Sequence, residues 1–274
     1  TRELFNNNDF RRAMSVAINR DEINQIAYFG QGTPSQIVPM NPAPDFVDPQ
    51  WASHYAEYDP DTAKAMLDEI GMVDTDSDGF RELPNGEKVV LNMNFSTQGI
   101  AGTVVELVSQ NWADVGVQSV VKEVTPDEYR SAQSSNKLDV GLWQYGAPVA
   151  IHLGLNSFFR VPFGTYFEHR TGMLWAEWLD SGGEQGEEPP QFVKDLAANI
   201  DAFQSATPGT DDFSTLGGKL VEDFVSNMIM IGTVQAPEPV YASNRLKNFT
   251  EFKTWSYEYY RTYPYRGTQW WLDE

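Results

Sequence analysis

Four acidic side chains in one short segment are the strongest candidates for chemistry in this sequence. Asp74, Asp76 and Asp78 occupy alternate positions immediately before a glycine. Calcium loops place oxygen ligands at positions one, three and five and a glycine at position six, because the chain must curl around the ion. The twelfth position, usually a bidentate glutamate, is Asn85, so Glu82 at position nine is the candidate substitute. The sequence predicts a calcium site here, with an acidic turn that only aids solubility as the alternative.

A second candidate group follows a predicted strand. Trp143, Gln144 and Tyr145 come directly after the apolar segment 138–142. Strands of an α/β sheet end at the crevice where ligands bind, and a flat aromatic ring there can stack on a sugar or line a peptide side-chain pocket. We interpret these three residues as ligand-binding residues. The alternative is that Trp143 packs under its loop as part of the core.

Motifs of common enzymes are not found in the sequence. The chain has no cysteine, which excludes thiolate catalysis, cysteine-based zinc sites and disulfides. Its three histidines are isolated, and neither a Gly-x-Ser-x-Gly elbow nor a Walker A motif occurs. A glycoside hydrolase would need two carboxylates flanking a sugar, but 39 acidic residues make chance pairs inevitable. We therefore predict a protein without catalytic residues.

The charge of the chain limits its partners. A formal net charge of −20 repels nucleic acid and disfavours anionic membrane surfaces. No stretch approaches the ~20 apolar residues that span a bilayer. The opening residues do not resemble a signal peptide, so we expect either a cytoplasmic protein or one whose front end has been removed.

Helix caps and hydrophobic periods together predict an α/β fold. Asp9, Asn19 and Asp59 each precede an amphipathic helix, and Pro60 follows the last of these caps. From residue 89 to residue 143 the pattern alternates between strand and helix, with Trp112 at a core position of the intervening helix. This order is typical of an α/β layer with crossover connections. A strand is also expected over 228–234.

These segments, read in order, resemble the family 5 extracellular solute-binding proteins of bacterial ABC importers. The resemblance covers essentially the whole chain and rests on several weak motifs at the expected spacing. The matching segments are Phe10-Arg11-Arg12-Ala13-Met14-Ser15-Val16-Ala17-Ile18-Asn19-Arg20-Asp21-Glu22-Ile23, the loop with Tyr28, Gly30, Gly32, Thr33 and Pro34, Tyr58-Asp59-Pro60-Asp61-Thr62-Ala63-Lys64-Ala65-Met66-Leu67 with Gly71, Val115-Gly116-Val117, and Leu138-Asp139-Val140. The family often has an acidic residue in the aromatic loop after the last of these, and here Gly146-Ala147-Pro148 follows Tyr145 instead.

The resemblance implies a lobe of the type II periplasmic-binding-protein kind, with a mixed sheet flanked by helices. Residues 1–206 would form the second ligand-binding lobe. Residues 207–274 would be the crossover segment that returns to the first lobe, whose N-terminal part is absent from this sequence.

By the same resemblance, the protein would capture an oligopeptide or an oligosaccharide outside the cytoplasmic membrane. It would act as a monomer, without a required cofactor, and deliver its ligand to an ABC permease in the membrane. A periplasmic or extracellular location is implied, with a lipid anchor on the missing N-terminal part as one form of attachment. A glycoside hydrolase domain and a stand-alone calcium-binding interaction domain remain the alternatives.

Overall fold

The computed structural model describes residues 2–39, 43–144, 171–236, 242–249 and 267–273. Within these ranges the helices are α1 (Arg2–Asn6), α2 (Asn8–Val16), α3 (Arg20–Tyr28), α4 (Gln50–Ser53), α5 (Pro60–Glu69), α6 (Gly102–Asp114), α7 (Pro126–Ser134), α8 (Met173–Asp180), α9 (Gln191–Ser205) and α10 (Asp211–Ser226). The strands are β1 (Thr33–Pro34), β2 (Val90–Phe95), β3 (Gln118–Glu123), β4 (Val140–Leu142), β5 (Val234–Gln235), β6 (Leu246–Lys247) and β7 (Trp271–Leu272). None of the helices in the described ranges has the length and hydropathy of a membrane span.

A parallel three-stranded sheet forms the centre of the first part of the chain. Strand β2 lies between β3 and β4 and pairs in parallel with both. Helices α6 and α7 make the crossovers that parallel neighbours require. Alternate side chains of β2, namely Leu91, Met93 and Phe95, are buried, as the period of two predicts. The predicted α/β class is confirmed.

Helix α6 covers this sheet with its apolar stripe. Val104, Val105, Val108 and Trp112 are all buried. Trp112 is 5% exposed, and its indole nitrogen donates a hydrogen bond to the Met14 carbonyl oxygen at 3.0 Å. The prediction that Trp112 belongs to the core is therefore confirmed, and its polar edge also ties α6 to α2.

Two of the three predicted helix caps are present. The side chain of Asn19 accepts a hydrogen bond from the Glu22 amide, and that of Asp59 accepts one from the Thr62 amide. The prediction for Asp9 was wrong by two residues, because Asn7 caps α2 and Asp9 lies in the first turn of that helix. An acidic side chain in that turn still interacts favourably with the helix dipole.

A second hydrophobic core is formed by α9 and α10. Both helices contribute apolar side chains to it, and α4 packs against α10. The predicted division at residue 206 falls in the turn between α9 and α10, two helices that share this one core. The division into a lobe and a crossover segment stays a prediction.

The two cores are joined where α2 meets the end of α10. Arg11 donates through Nη2 to the Asn227 carbonyl oxygen at 2.8 Å, and Asn8 donates to the Ser226 carbonyl oxygen at 3.1 Å. Basic and polar donors are favourable at a helix C-terminus, because the last carbonyls have no partner within the helix.

The segment that follows α10 does not form the strand predicted over 228–234. Strand β5 begins at Val234, and Val234 and Gln235 form a short antiparallel ladder with β1. The reason lies at Gly232, whose amide donates to the side chain of Gln36 and whose carbonyl accepts from Arg20. Its backbone is therefore occupied by side chains and is not free for a ladder.

Arg20 is the most completely enclosed charged residue of the first core, with 2% of its surface exposed. Its guanidinium donates to the carbonyl oxygens of Ser15, Ala56 and Gly232 at 2.9, 3.1 and 2.9 Å. Nη2 also donates to the Ser15 hydroxyl at 2.8 Å. Burial lowers the pKa of Arg20 to about 10, so the group stays charged at neutral pH. The guanidinium thus joins three segments that are far apart in sequence.

We expect Arg20→Met to be among the most destabilising single changes in the protein. It leaves buried carbonyl oxygens without donors, at roughly 1–3 kcal/mol each. The free energy of unfolding should fall by about 3–5 kcal/mol, measured by urea denaturation. Lys122→Met is the control, since Lys122 forms a surface ion pair with Glu128 at 3.1 Å and such pairs contribute less than ~1 kcal/mol. Equal losses in both variants would contradict this role of Arg20.

Candidate functional site

The three parallel strands end at the same edge of the sheet. Strand β2 ends at Phe95, β3 at Glu123 and β4 at Leu142, and a loop leaves the sheet after each. Carboxyl ends of parallel strands are where ligands bind in open α/β sheets. Trp143 and Gln144, the two predicted ligand-binding residues that the structure describes, therefore lie at this edge.

Trp143 is half-buried and is held from two sides. Its ring packs against the ring of Tyr129, with centroids 5.0 Å apart and planes tilted by 36°. It also covers Gly99, where an added Cβ would come within 2.3 Å of the indole. Both contacts fix the orientation of the ring. Neither of the two interpretations made from the sequence is excluded by this half-buried position.

Gln144 is exposed, and its backbone is anchored to the same turn. Its amide donates to the Gly99 carbonyl oxygen at 2.6 Å, while its side chain is at the surface. Tyr145, the third predicted ligand-binding residue, lies outside the described residues.

Sequence reasoning missed the turn between β2 and α6. Gly99 receives the Trp143 ring, and its neighbours Thr97 and Gln98 are exposed polar residues at the sheet edge. The Thr97 hydroxyl donates to Glu123 at 3.1 Å, and Arg130 donates to the Gln98 side chain at 3.5 Å. Gly99, four residues after the end of β2, was the available signal, since a glycine allows another group to approach the backbone closely.

Tyr129 supports the site from below. It is 1% exposed, and burial raises the pKa of its phenol above the usual value. A Cβ at Gly141 would lie 2.8 Å from the Tyr129 oxygen, so a glycine in β4 is needed to seat the ring. The phenol is therefore neutral at physiological pH. Its buried ring packs against Trp143 and supports the orientation of the indole.

The acidic segment folds into a compact loop between α5 and β2. One carboxylate oxygen from each of Asp74, Asp76, Asp78 and Glu82 lies within 4.8 Å of the others. The curl depends on left-handed backbone at Ser77 (φ 65°) and Gly79 (φ 93°). The four residues selected from the sequence are thus brought together, in a group that could hold a metal ion.

Backbone amides orient the carboxylates of the loop. Asp74 accepts hydrogen bonds from the amides of Ser77 at 2.7 Å and Gly79 at 2.9 Å. Asp78 accepts from the Phe80 amide at 2.9 Å. Each accepting oxygen has a second lone pair that remains for another partner.

Glu82 differs from the three aspartates because it is buried, with 3% of its surface exposed. Its Oε2 accepts hydrogen bonds from the Thr75 amide at 2.8 Å and the Thr75 hydroxyl at 2.7 Å. Its Oε1 is buried and has no hydrogen-bond partner. A buried carboxylate oxygen without a partner is costly, so this atom calls for an explanation.

Lys88 contributes the one described cation at the exposed side of the loop. Its ammonium lies 2.7 Å from Asp76 Oδ2 and also contacts Asp78 Oδ2. These hydrogen bonds raise the pKa of Lys88 and hold that of Asp78 below its ordinary value. Lys88 and Glu82 are also paired in an antiparallel bridge.

Arg81 fixes the loop to the rest of the fold. Its amide donates to the Gly116 carbonyl oxygen at 2.8 Å, and its Nε donates to the Val115 carbonyl oxygen at 2.8 Å. Both acceptors belong to the turn between α6 and β3. The acidic loop is therefore attached to the same α/β layer as the aromatic site.

Comparison with known proteins places this geometry in context. Residues 1–157 match the model for the middle region of the bacterial extracellular solute-binding proteins, family 5. The chain is 24% identical over 262 residues to a periplasmic alpha-galactoside-binding protein of Rhizobium meliloti (strain 1021), covering 90% of this chain and 35% of that protein. It is 30% identical over 139 residues to the glutathione-binding protein GsiB of Pectobacterium atrosepticum, covering 50% of this chain and 23% of the relative.

Solved structures agree with the sequence matches. An oligopeptide-binding protein, OppA, superposes with a TM-score of 0.75 at 27% identity, covering 91% of this chain and 41% of that one. The chain thus spans less than half the length of the relatives it matches. All three relatives are named as binding proteins and none as an enzyme. The family model covers more than half of the chain, and the chain belongs to the family 5 bacterial extracellular solute-binding proteins.

Proposed function

We propose that this chain supplies the second ligand-binding lobe of an ABC importer's capture protein. In this proposal residues 1–206 form that lobe and residues 207–274 return to a first lobe. The protein works as a monomer outside the cytoplasmic membrane, in the periplasm or the extracellular space, and delivers its ligand to the permease. It binds its ligand without covalent change. The observation that carries the proposal is the aromatic group at the carboxyl edge of a parallel sheet in a member of this family.

The carboxyl edge of the sheet has the properties of a ligand-binding surface. Trp143 is pre-oriented by Tyr129 and Gly99, so little side-chain entropy is lost when a ligand covers it. Exposed amides at Gln98 and Gln144 flank the ring, and such groups orient polar ligands. Closure of the first lobe against this edge would exclude water from the ligand.

Oligopeptides and oligosaccharides are both compatible ligand classes. An indole stacks on the apolar face of a sugar ring and equally lines a pocket for a peptide side chain. Among the relatives, one is named for an alpha-galactoside, one for glutathione and one for oligopeptides. A thermal-shift screen of the full-length protein against di- to pentapeptides and small oligosaccharides separates the two classes.

A separate activity assay distinguishes a binding protein from a hydrolase. Turnover of a chromogenic glycoside or a peptide, abolished by substitution of one carboxylate, would overturn the binding proposal and favour the glycoside hydrolase alternative.

Trp143→Ala in the full-length receptor should weaken ligand binding roughly tenfold or more. An indole stacked on a ligand contributes about 1–2 kcal/mol beyond its buried area. The melting temperature of the unliganded protein should change little. A tryptophan that served only the core would give the opposite result, a stability loss of about 3–5 kcal/mol with unchanged affinity.

Gly99→Ala tests the same site without removing the ring. The new Cβ would come within 2.3 Å of the indole, so Trp143 must move and affinity should fall. Gly102→Ala is the matched control, because its Cβ would meet Phe95 at an ordinary 3.5 Å. Affinity and unliganded melting are measured on both variants, and equal affinities would remove Trp143 from the binding site.

We also propose that the acidic loop binds calcium. Calcium takes six to eight oxygen ligands at roughly 2.3–2.6 Å, so opposite ligands of one ion lie about 4.8 Å apart. The four carboxylate oxygens within 4.8 Å of one another fit around such an ion, and the Phe80 carbonyl at position seven is a further candidate ligand. The unpartnered Oε1 of Glu82 supports the proposal, because an ion would satisfy it.

Calorimetric titration of calcium into the full-length, chelator-treated protein should show one binding site and raise the melting temperature. Asp76→Asn and Glu82→Gln each remove one negative charge from the group and should weaken binding at least tenfold. Glu106→Gln, on the exposed side of α6, is the control and should bind as the wild type does. Identical isotherms for all four proteins, or no heat at all, would leave an acidic turn that binds no calcium.

A further inference from the structure

The ammonium of Lys88 already lies among the carboxylates that are proposed to bind calcium. It contacts Oδ2 of both Asp76 and Asp78. The bridge between Lys88 and Glu82 places these two residues directly opposite each other, so their side chains leave the same face of the ladder. Lys88 is therefore directed into the group by the backbone and does not reach it by chance from a distant loop.

The two ends of the group are satisfied differently. At the exposed end, Asp76 and Asp78 share one ammonium. At the buried end, Glu82 Oε1 has no hydrogen-bond partner. The single positive charge of Lys88 thus compensates Asp76 and Asp78, but it has no described contact with Asp74 or Glu82. The other two carboxylates, the exposed Asp74 and the buried Glu82, have only neutral donors in the described hydrogen bonds.

A calcium ion and the Lys88 ammonium would compete for the same two carboxylates, those of Asp76 and Asp78. An ion bound by all four carboxylates would lie within about 2.6 Å of Asp76 and Asp78, and the ammonium occupies one oxygen of each. Two cations so close together repel strongly. The Lys88 side chain is half exposed, at 51%, and can swing into solvent when it is displaced.

Resting on the calcium proposal above, we propose that Lys88 is an internal competitor that determines the metal affinity of this site. It neutralises Asp76 and Asp78 when calcium is scarce and must leave when calcium binds. The loop keeps its shape in both states because one cation replaces the other. The calcium affinity is accordingly weaker than four carboxylates would otherwise give.

Lys88→Met tests this role, because it keeps the length of the side chain and removes the charge. The calcium dissociation constant should fall at least tenfold relative to the wild type in calorimetric titration. In chelator the melting temperature should be lower than that of the wild type, and saturating calcium should restore it. Lys122→Met is the control, since Lys122 pairs with Glu128 at 3.1 Å, outside the acidic loop, and should leave the affinity unchanged.

The outcomes separate the two proposals. A wild type that binds no calcium together with a Lys88→Met variant that binds it would disprove the calcium function of the native loop and support the competition. Equal affinities in wild type and variant would overturn the role of Lys88 and leave the calcium site intact. Absence of binding in both proteins, or an equal tightening in Lys122→Met, would also overturn it.

Discussion

A guanidinium enclosed by main-chain carbonyls holds the first core together. Arg20 has no described carboxylate partner; its donors go to Ser15, Ala56 and Gly232, and Gln36 extends the same network with a hydrogen bond to the Ser15 hydroxyl at 2.8 Å. A buried cation must be satisfied by hydrogen bonds, because its desolvation is expensive. The positions of α2, the turn before α5 and the segment after α10 are therefore fixed together.

This network of hydrogen bonds explains why the segment after α10 does not form a longer strand. Gly232 cannot join a longer strand, because its polar groups are committed to Arg20 and Gln36. A side chain at that position would also collide with the backbone of Ser35, whose carbonyl oxygen would lie 2.5 Å from a new Cβ. After α10, hydrogen bonds from Arg20 and to Gln36 hold the chain at Gly232. The two-residue ladder of β1 with β5 follows.

Both candidate sites are loops fixed to one α/β layer by a small number of contacts. The aromatic site depends on Gly99, where a ring and an amide from the end of β4 meet the turn after β2. The acidic loop depends on Arg81, which binds the turn between α6 and β3. Binding residues on loops can vary while the layer beneath them is retained. This arrangement accounts for a recognisable family with differently named ligands.

The sequence by itself determined the local structure and the family. The caps at Asn19 and Asp59, the alternation in β2 and the core position of Trp112 follow from side-chain chemistry within a few residues, and so does the spacing of Asp74, Asp76 and Asp78. The predicted cap at Asp9 was wrong because the helix begins two residues earlier, where the Asn7 side chain accepts from the Asp9 and Phe10 amides.

Only the tertiary structure decided which distant groups meet. It enclosed Arg20, left Glu82 Oε1 without a partner, placed Lys88 on two aspartates and seated Trp143 on Gly99. The contacts of Arg20, Lys88 and Trp143 join residues that strand pairing or packing brings together. A side chain's type states which bonds it can form, but its burial and its partners are set by chain segments that local sequence does not specify.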